Sequence, residues 1–270
     1  MYMKDFAYAG KRLSDFGCIV AYLNTSLPNN ISLENKIKFE TLKNTSTHIN
    51  RVVKVDYETP SPVTFDICKN PCGNTMVFTD IEISYLMRWL NKKSYEIFRP
   101  IYDNGFYPDI YFKGSFNVSA IYIAGDVVGF TLSFTPNSPF AYDNEKDMVI
   151  NINAANESFA FYNNSDEYGY MYPVKFVITC KDTGNFTMTN DIDDNIVKID
   201  NCENGEIVTL DCYNKIITSN LSHPYLYNDF NYNYPRFVSN ENTNRNVFTV
   251  SLPCSITVTY SYPRKAGIIV

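Results

Sequence analysis

One stretch of this chain has the period of a helix, and the period changes as soon as that stretch ends. Residues 79–91 read TDIEISYLMRWLN. Thr79, followed three residues later by Glu82, has the capping-box form, in which each side chain satisfies an orphan amide of the first turn. Ile83, Leu86, Trp89 and Leu90 recur at spacings of three and four and so share one face. Asn91 and the two lysines after it suit the negative end of the helix dipole. A helix over residues 80–91 is therefore expected, with Trp89, the single tryptophan, plugged into a core.

Beyond the helix, Asp109–Val118 and Val127–Thr135 alternate apolar and polar residues as half-buried strands do. Pro136-Asn-Ser-Pro139 ends the second of them, because proline cannot donate to a ladder. The charged run Asp143–Asp147 is expected to stay exposed and to form the joint between two domains. Upstream, residues 1–24 give a strand, a turn at Ser14–Gly17 and a second strand from Cys18. Ile37–Leu42 and Arg51–Tyr57 read as a hairpin with a long loop. Pro60-Ser-Pro62 breaks that pattern before Val63–Cys68 resumes it.

Past the joint, short strands recur near Val174–Cys180, Phe186–Thr189, Ile196–Asp200, Glu206–Tyr213, Lys215–Ser219, Val247–Val250 and Ser255–Tyr260. Intervals of about ten residues are the spacing of a β-sandwich, and Asn204-Gly205 is a hairpin dipeptide. The expected fold class is thus mainly β, a β-rich α+β chain: a β domain with one helix over residues 1–140, then a β-sandwich over 141–270.

Composition narrows the function. No apolar run approaches the ~20 residues of a membrane helix, and the N-terminus has no signal-peptide core, so synthesis in the cytoplasm is expected. Seven cysteines, an odd number spread along the chain, argue against a disulfide framework. Cys68 and Cys72 lack the second pair a zinc site needs. Residues 1–142 hold 14 basic and 13 acidic side chains, whereas residues 143–270 hold 9 basic and 16 acidic. That acidic second half speaks against binding a phosphate backbone.

Several segments together resemble the distal tail proteins (Dit family) of long-tailed bacteriophages. The helix end Trp89–Tyr95 is followed by Pro100-Ile-Tyr-Asp103, and a paired set of strands closes in FTPNSPFAY at 134–142. Phe6–Gly10 with Ser14–Gly17 looks like that family's opening strand and turn. Ser255–Tyr260 closing on Tyr262-Pro-Arg-Lys265 looks like its end, and Asn204–Asp211 is similar to its galectin-like second domain. The resemblance implies a structural virion protein at the baseplate or tail tip. In that family the first (belt) domain forms a hexameric ring around a channel for DNA, and the galectin-like domain projects outward. Its implied partners are further copies of itself, the tail tube protein, the tail-associated hub or tip protein, the tape-measure protein and receptor-binding proteins, with no membrane and no specific nucleic-acid binding.

Chemistry has little purchase here. His48 and His223 are the only histidines; both read as surface loop residues, with no nucleophile elbow or oxyanion loop beside them. No catalytic, metal or cofactor residue is assigned, and no cofactor is expected. Asp191-Ile-Asp193-Asp194-Asn195 fails as a calcium loop, since Ile196 stands where glycine is needed and Cys202 where the bidentate Glu belongs. A glycosidase would need two facing carboxylates, which sequence cannot pair.

The loop 225–234 places Tyr225, Tyr227, Phe230, Tyr232 and Tyr234 among Asn and Asp. These are the materials of a carbohydrate platform, with rings to stack and amides to bond hydroxyls. The same rings would also pin the loop to its own sheet. The alternative to a tail hub is accordingly a two-domain carbohydrate-binding module that uses these five rings.

Overall fold

The structure, a computed structural model, describes residues 3–21, 36–43, 49–58, 60–72, 75–102 and 109–267. The chain divides into two compact units. One comprises Met1–Tyr142 together with the chain from Lys265, and the other is Asp143–Arg264. The chain therefore passes between them twice, at 142–143 and at 264–265.

In the first unit, an antiparallel sheet runs in the order Lys11–Arg12, Met3–Tyr8, Glu96–Tyr102, Ile110–Ile123, Asp126–Pro136, Val63–Lys69, Cys18–Ala21. Alternation sends Phe6, Phe65, Phe98, Phe116 and Phe134 into one core, where their rings meet edge-on or tilted. Gly114 marks a close approach: a Cβ there would run into the Thr135 carbonyl and the Phe134 ring. Sequence alternation does not reveal the strand Glu96–Tyr102, because Pro100 interrupts it. Its pairing with Ile110–Ile123 runs only through Glu96, Ile97 and Phe98. The proline thus lies beyond that ladder, where no donor is needed.

The helix spans Asp80–Leu90, one residue short of expectation, with Asn91 as its C-cap. The capping box is formed: the Glu82 amide donates to Thr79 Oγ1, and Thr79 N donates to Glu82 Oε2. Lys69, nearly buried, reaches the same Glu82 oxygen at 2.8 Å and donates to the Val77 carbonyl. The Lys69 ammonium, then the Thr79 amide, hold the Glu82 carboxyl down to about 2. Leu86, Trp89 and Leu90 are buried, and Ile83 packs against the same core. The indole stacks on Phe6 (centroids 5.6 Å apart, planes 7° apart) and on Phe16 (4.5 Å, 19°). Its Nε1–H donates to the Tyr8 carbonyl at 2.7 Å.

The second unit is a β-sandwich. A five-stranded sheet orders Lys146–Ile152, Cys254–Tyr260, Lys175–Cys180, Ile207–Asp211 and Ile216–Ser219. A four-stranded sheet orders Glu157–Tyr162, Arg245–Val250, Gly184–Asn190 and Ile196–Cys202. Their inner faces supply one core, including Phe176, Ile178 and Ile256 with Phe186, Ile199 and Phe248. A ribbon of Gly169–Met171 and Phe237–Ser239 is tied on by Asn246, fully buried, whose Oδ1 accepts from Val238 N and from Asn190 Nδ2. All seven cysteines are free thiols, and only Cys72 is exposed.

Asn144–Asp147 are exposed as expected, but Asp143 departs from expectation at 7% exposed, and Lys146 begins a strand. The Asp143 carboxylate accepts from the Tyr262 amide at 2.6 Å, from Arg264 Nη2 and from Lys146 Nζ. A charge so placed has three donors in place of water, which is what makes its burial tolerable. Residues 143–147 are therefore structured rather than a free tether.

Trp89→Ala is expected to destabilise the first unit by about 3–5 kcal/mol, the range for a large buried aromatic. In the wild type, tryptophan emission should be blue-shifted and move red on unfolding. A folded protein with water-like emission would contradict the stacked indole.

Candidate functional site

The loop that carries the five candidate rings lies in the second unit and does not present them together. Leu226–Asp229 forms one helical turn, with Leu226 buried. Phe230 is 2% exposed and bridges to Ile199, and Tyr234 is 7% exposed. These two rings belong to the sandwich core, so the expectation of a five-ring platform is corrected: period-two alternation through Phe230, Tyr232 and Tyr234 is broken at Tyr232, whose φ of +58° turns its ring outward. Tyr225, Tyr227 and Tyr232 are the exposed members, at 68%, 61% and 59%. Tyr225 and Tyr232 open onto two different clefts.

The first cleft, about 240 Å³, lies beside Tyr225 and is centred on His223, Glu206 and Asp229. Contrary to the surface-loop reading, the His223 side chain is only 6% exposed. Its Nδ1 lies 2.8 Å from Glu206 Oε1 and its Nε2 3.0 Å from Asp229 Oδ2. Both ring nitrogens therefore face acceptors, an arrangement satisfied only when both carry protons. Burial works against that charge, but the two carboxylates outweigh it and raise the His223 pKa above its usual value.

Glu206, at 1% exposed, is held by Ser219 Oγ and by the Glu203 amide as well. Burial alone would push its carboxyl up, yet the Ser219 hydroxyl, the Glu203 amide and His223 together bring it below the ordinary range. Asp229 is lowered by the Asn201 amide group and then by His223. With both imidazole nitrogens committed to carboxylates, His223 acts as a latch between the loop and the sheet and has no lone pair to accept a proton. His48, the other histidine, lies outside the described residues.

The second cleft, about 360 Å³, lies beside Tyr232. Lys215 projects its ammonium 3.8 Å from the Tyr172 centroid and 4.5 Å from that of Tyr234. Arg236 sits 4.4 Å over Tyr170 and pairs through Nε with Asp193 at 2.6 Å. The rejected calcium-loop acids are thus engaged within the protein: Asp193 with Arg236, and Asp191 Oδ1 with the Val247 amide. Among the described residues, no group of three or more His, Cys, Asp or Glu side chains is placed to hold a metal ion.

No ordered set of nucleophile, base and oxyanion donors emerges from these clefts. The architecture instead finds its match in assembly proteins. Residues 1–138 match the family model described as phage tail protein N-terminal domain, and residues 140–260 match that of the phage tail C-terminal domain.

The chain belongs to this family of phage tail proteins. No curated protein sequence matches it. Among solved structures, the phage tail protein is similar in fold to SPP1 Dit, described as a paradigm of the hub adsorption apparatus in phages that infect Gram-positive hosts. That likeness has a TM-score of 0.63 at 12% identity, over 96% of this chain and 98% of that one. It is also similar to a chain of the phage P2 baseplate in its activated conformation with Ca, with a TM-score of 0.52 at 9% identity, over 95% and 98%. The two-domain, β-rich, Dit-like fold expected from the sequence is the fold observed.

The His223 latch makes a prediction for the tail protein's pH dependence. A raised histidine pKa contributes stability that is complete below the unfolded value of about 6.5 and is lost as pH rises through the folded value. The lowered Glu206 and Asp229 contribute stability above about 4.3 and 3.9, lost as pH falls through their folded values. The Tm difference between wild type and His223→Gln should accordingly be largest between about pH 4.5 and 6.5 and shrink on either side. A difference that does not vary with pH would show that His223 is neutral in the fold.

Proposed function

We propose that this phage tail protein is a distal tail hub: copies close into a ring of about six that joins the tail tube to the baseplate and leaves a channel for DNA. The family and the Dit-like fold support a tail role. The observation that carries the ring is the hairpin Ile37–Lys43 with Asn50–Tyr57.

Its register pairs Ile37 with Tyr57, Phe39 with Val55 and Thr41 with Val52, with a bulge at Val53. One face of the ribbon is therefore apolar. The other carries Lys38, Glu40, Arg51, Lys54 and Asp56 beside the exposed Leu42, with Lys54 and Asp56 paired at 2.7 Å. Within a single copy the apolar face lies open: Phe39 is 57% exposed, Val53 62% and Val55 55%.

A two-stranded ribbon is marginal in water on its own, and an exposed apolar strip of this kind marks an interface. The surface that covers it is a neighbouring copy. Because the ribbon meets a different surface on that neighbour, the contact is heterologous, and such contacts close into a ring when the rotation between copies closes. The tube protein, the hub or tip protein and the tape-measure protein then meet the ring along its axis, and receptor-binding proteins dock outside it. Its place is the virion tail, assembled in the host cytoplasm. The competing reading, a carbohydrate module built on all five rings of the 225–234 loop, is weakened by the burial of Phe230 and Tyr234.

The test is the assembly state of the purified protein at high concentration, read by native mass and electron microscopy. Wild type should form closed rings. Phe39→Asp with Val55→Asp should leave tryptophan emission unchanged and yield monomers. Rings of undiminished mass from that double variant would overturn the hairpin's role.

A further inference from the structure

The cleft beside Tyr232 has a chemistry that the ring does not use. Lys215 is a cation held between two aromatic faces, Tyr172 and Tyr234, and no carboxylate pairs with it among the described residues. Arg236, by contrast, is already balanced by Asp193. Lys215 is therefore the uncompensated positive charge of this cleft, set in a half of the chain with 9 basic and 16 acidic side chains. It is an exposed residue at φ +58° in the turn between Ile207–Asp211 and Ile216–Ser219, and its ammonium lies against the Tyr172 and Tyr234 rings.

Two further features surround that charge. Tyr232, also at φ +58°, presents an open ring at 59% exposure, and Tyr172 is 43% exposed. Such faces stack on the C–H side of a pyranose, as they do on other apolar planes. Asn195 donates its Nδ2 to the Tyr234 carbonyl at 3.2 Å, and Asn233 donates its own to the Ile196 carbonyl at 3.1 Å. Each amide is pinned by its nitrogen, which leaves its carbonyl oxygen to accept from a hydroxyl. One cleft thus offers a ring to stack, two fixed acceptors for hydroxyls and one cation.

We infer that this cleft binds an acidic saccharide, with the sugar ring on Tyr232, its hydroxyls on Asn195 and Asn233, and its carboxylate or phosphate on Lys215. The negative field of the second unit opposes a polyanion such as nucleic acid but tolerates one charge delivered to one lysine. A neutral sugar would leave that lysine unanswered. The site lies wholly in the second unit and does not depend on the ring.

The two sources of the anion are separated by titrating the ¹⁵N-labelled full chain with glucuronic acid and with glucose 6-phosphate. Glucose and inorganic phosphate serve as controls. Saturable shifts confined to residues around Lys215 and Tyr232 are expected with at least one acidic sugar, and at lower concentration than with either control. Lys215→Met should weaken the acidic sugar about tenfold, as loss of a charged hydrogen bond does, and leave glucose unchanged. Tyr232→Ala should weaken both sugars. Far-UV spectra and the dispersion of the second unit's ¹⁵N–¹H resonances confirm that each variant is folded. No saturation with either acidic sugar overturns the proposal. So does inorganic phosphate binding as tightly as glucose 6-phosphate, or glucose as tightly as glucuronic acid. The ring variant Phe39→Asp with Val55→Asp should bind as wild type does, so failure of one reading leaves the other standing.

Discussion

A sheet that sends a large apolar side chain to one face at every second residue must have that face covered, because uncovered it costs about 25 cal/mol for each Å² left in water. Three solutions to that constraint account for most of this chain. In the first unit the cover is the helix Asp80–Leu90, whose Trp89 lies between Phe6 and Phe16 and bonds the Tyr8 carbonyl. In the second unit each sheet covers the other, with Phe176 and Ile256 facing Phe186 and Phe248. The ribbon Ile37–Lys43 with Asn50–Tyr57 is the third case: apart from Tyr57, which meets the Phe140 ring, its side chains are exposed among the described residues. The same physics that explains two cores underlies the subunit contact proposed at the third sheet.

Polar groups inside the second unit follow the complementary rule that a buried charge needs partners. Asp143 has Lys146, Arg264 and the Tyr262 amide. Glu206 has Ser219, the Glu203 amide and His223. Each cluster fastens a connecting segment: the first where the chain enters and leaves the sandwich, the second where the 223–230 turn crosses it. Lys215 is exposed and falls outside that rule; its ammonium lies against rings rather than beside a carboxylate. Ring faces hold a cation without neutralising it, which is why Lys215 and not Arg236 is the group left for a ligand.

What was legible in the sequence was local. The helix was read from Thr79, Glu82 and the Ile83–Leu90 face, because capping and a 3.6 period are properties of adjacent residues. The sandwich was read from strand spacing, as in Lys175–Cys180 with its buried residues at alternate positions. Glu96–Tyr102 was hidden by Pro100, which lies beyond the pairing with Ile110–Ile123 and stays opposite Phe6 on the other side. Lys146–Ile152 and Glu157–Tyr162 were hidden by the charged run before them. The His223 latch could not be read, since Glu206 reaches His223 only through the pairing of Ile207–Asp211 with Ile216–Ser219. Which of the five rings pin the loop and which stay open could not be read for a related reason. One left-handed residue, Tyr232, decides which rings point inward, and nothing in composition announces it.

The ribbon's second face decides what kind of assembly its first face makes. An apolar strip on both sides would let copies stack without limit, and its free strand edges would add further pairing. Here Lys38, Glu40, Lys54 and Asp56 charge the opposite face, and Lys54 and Asp56 pair with each other rather than with a neighbour. Lys43 ends one strand and Arg51 lies near the start of the other, so the ribbon's tip is basic as well. Charges so placed are what natural sheets use to block edge-to-edge growth. One sticky face and one guarded face give each copy a single donor surface and require a single acceptor surface on its neighbour. In the proposed hub each copy then has two neighbours, and a rotation without translation between them closes the series. A one-sided ribbon thus suits the proposed ring, and the translation between neighbours is what separates that ring from a filament.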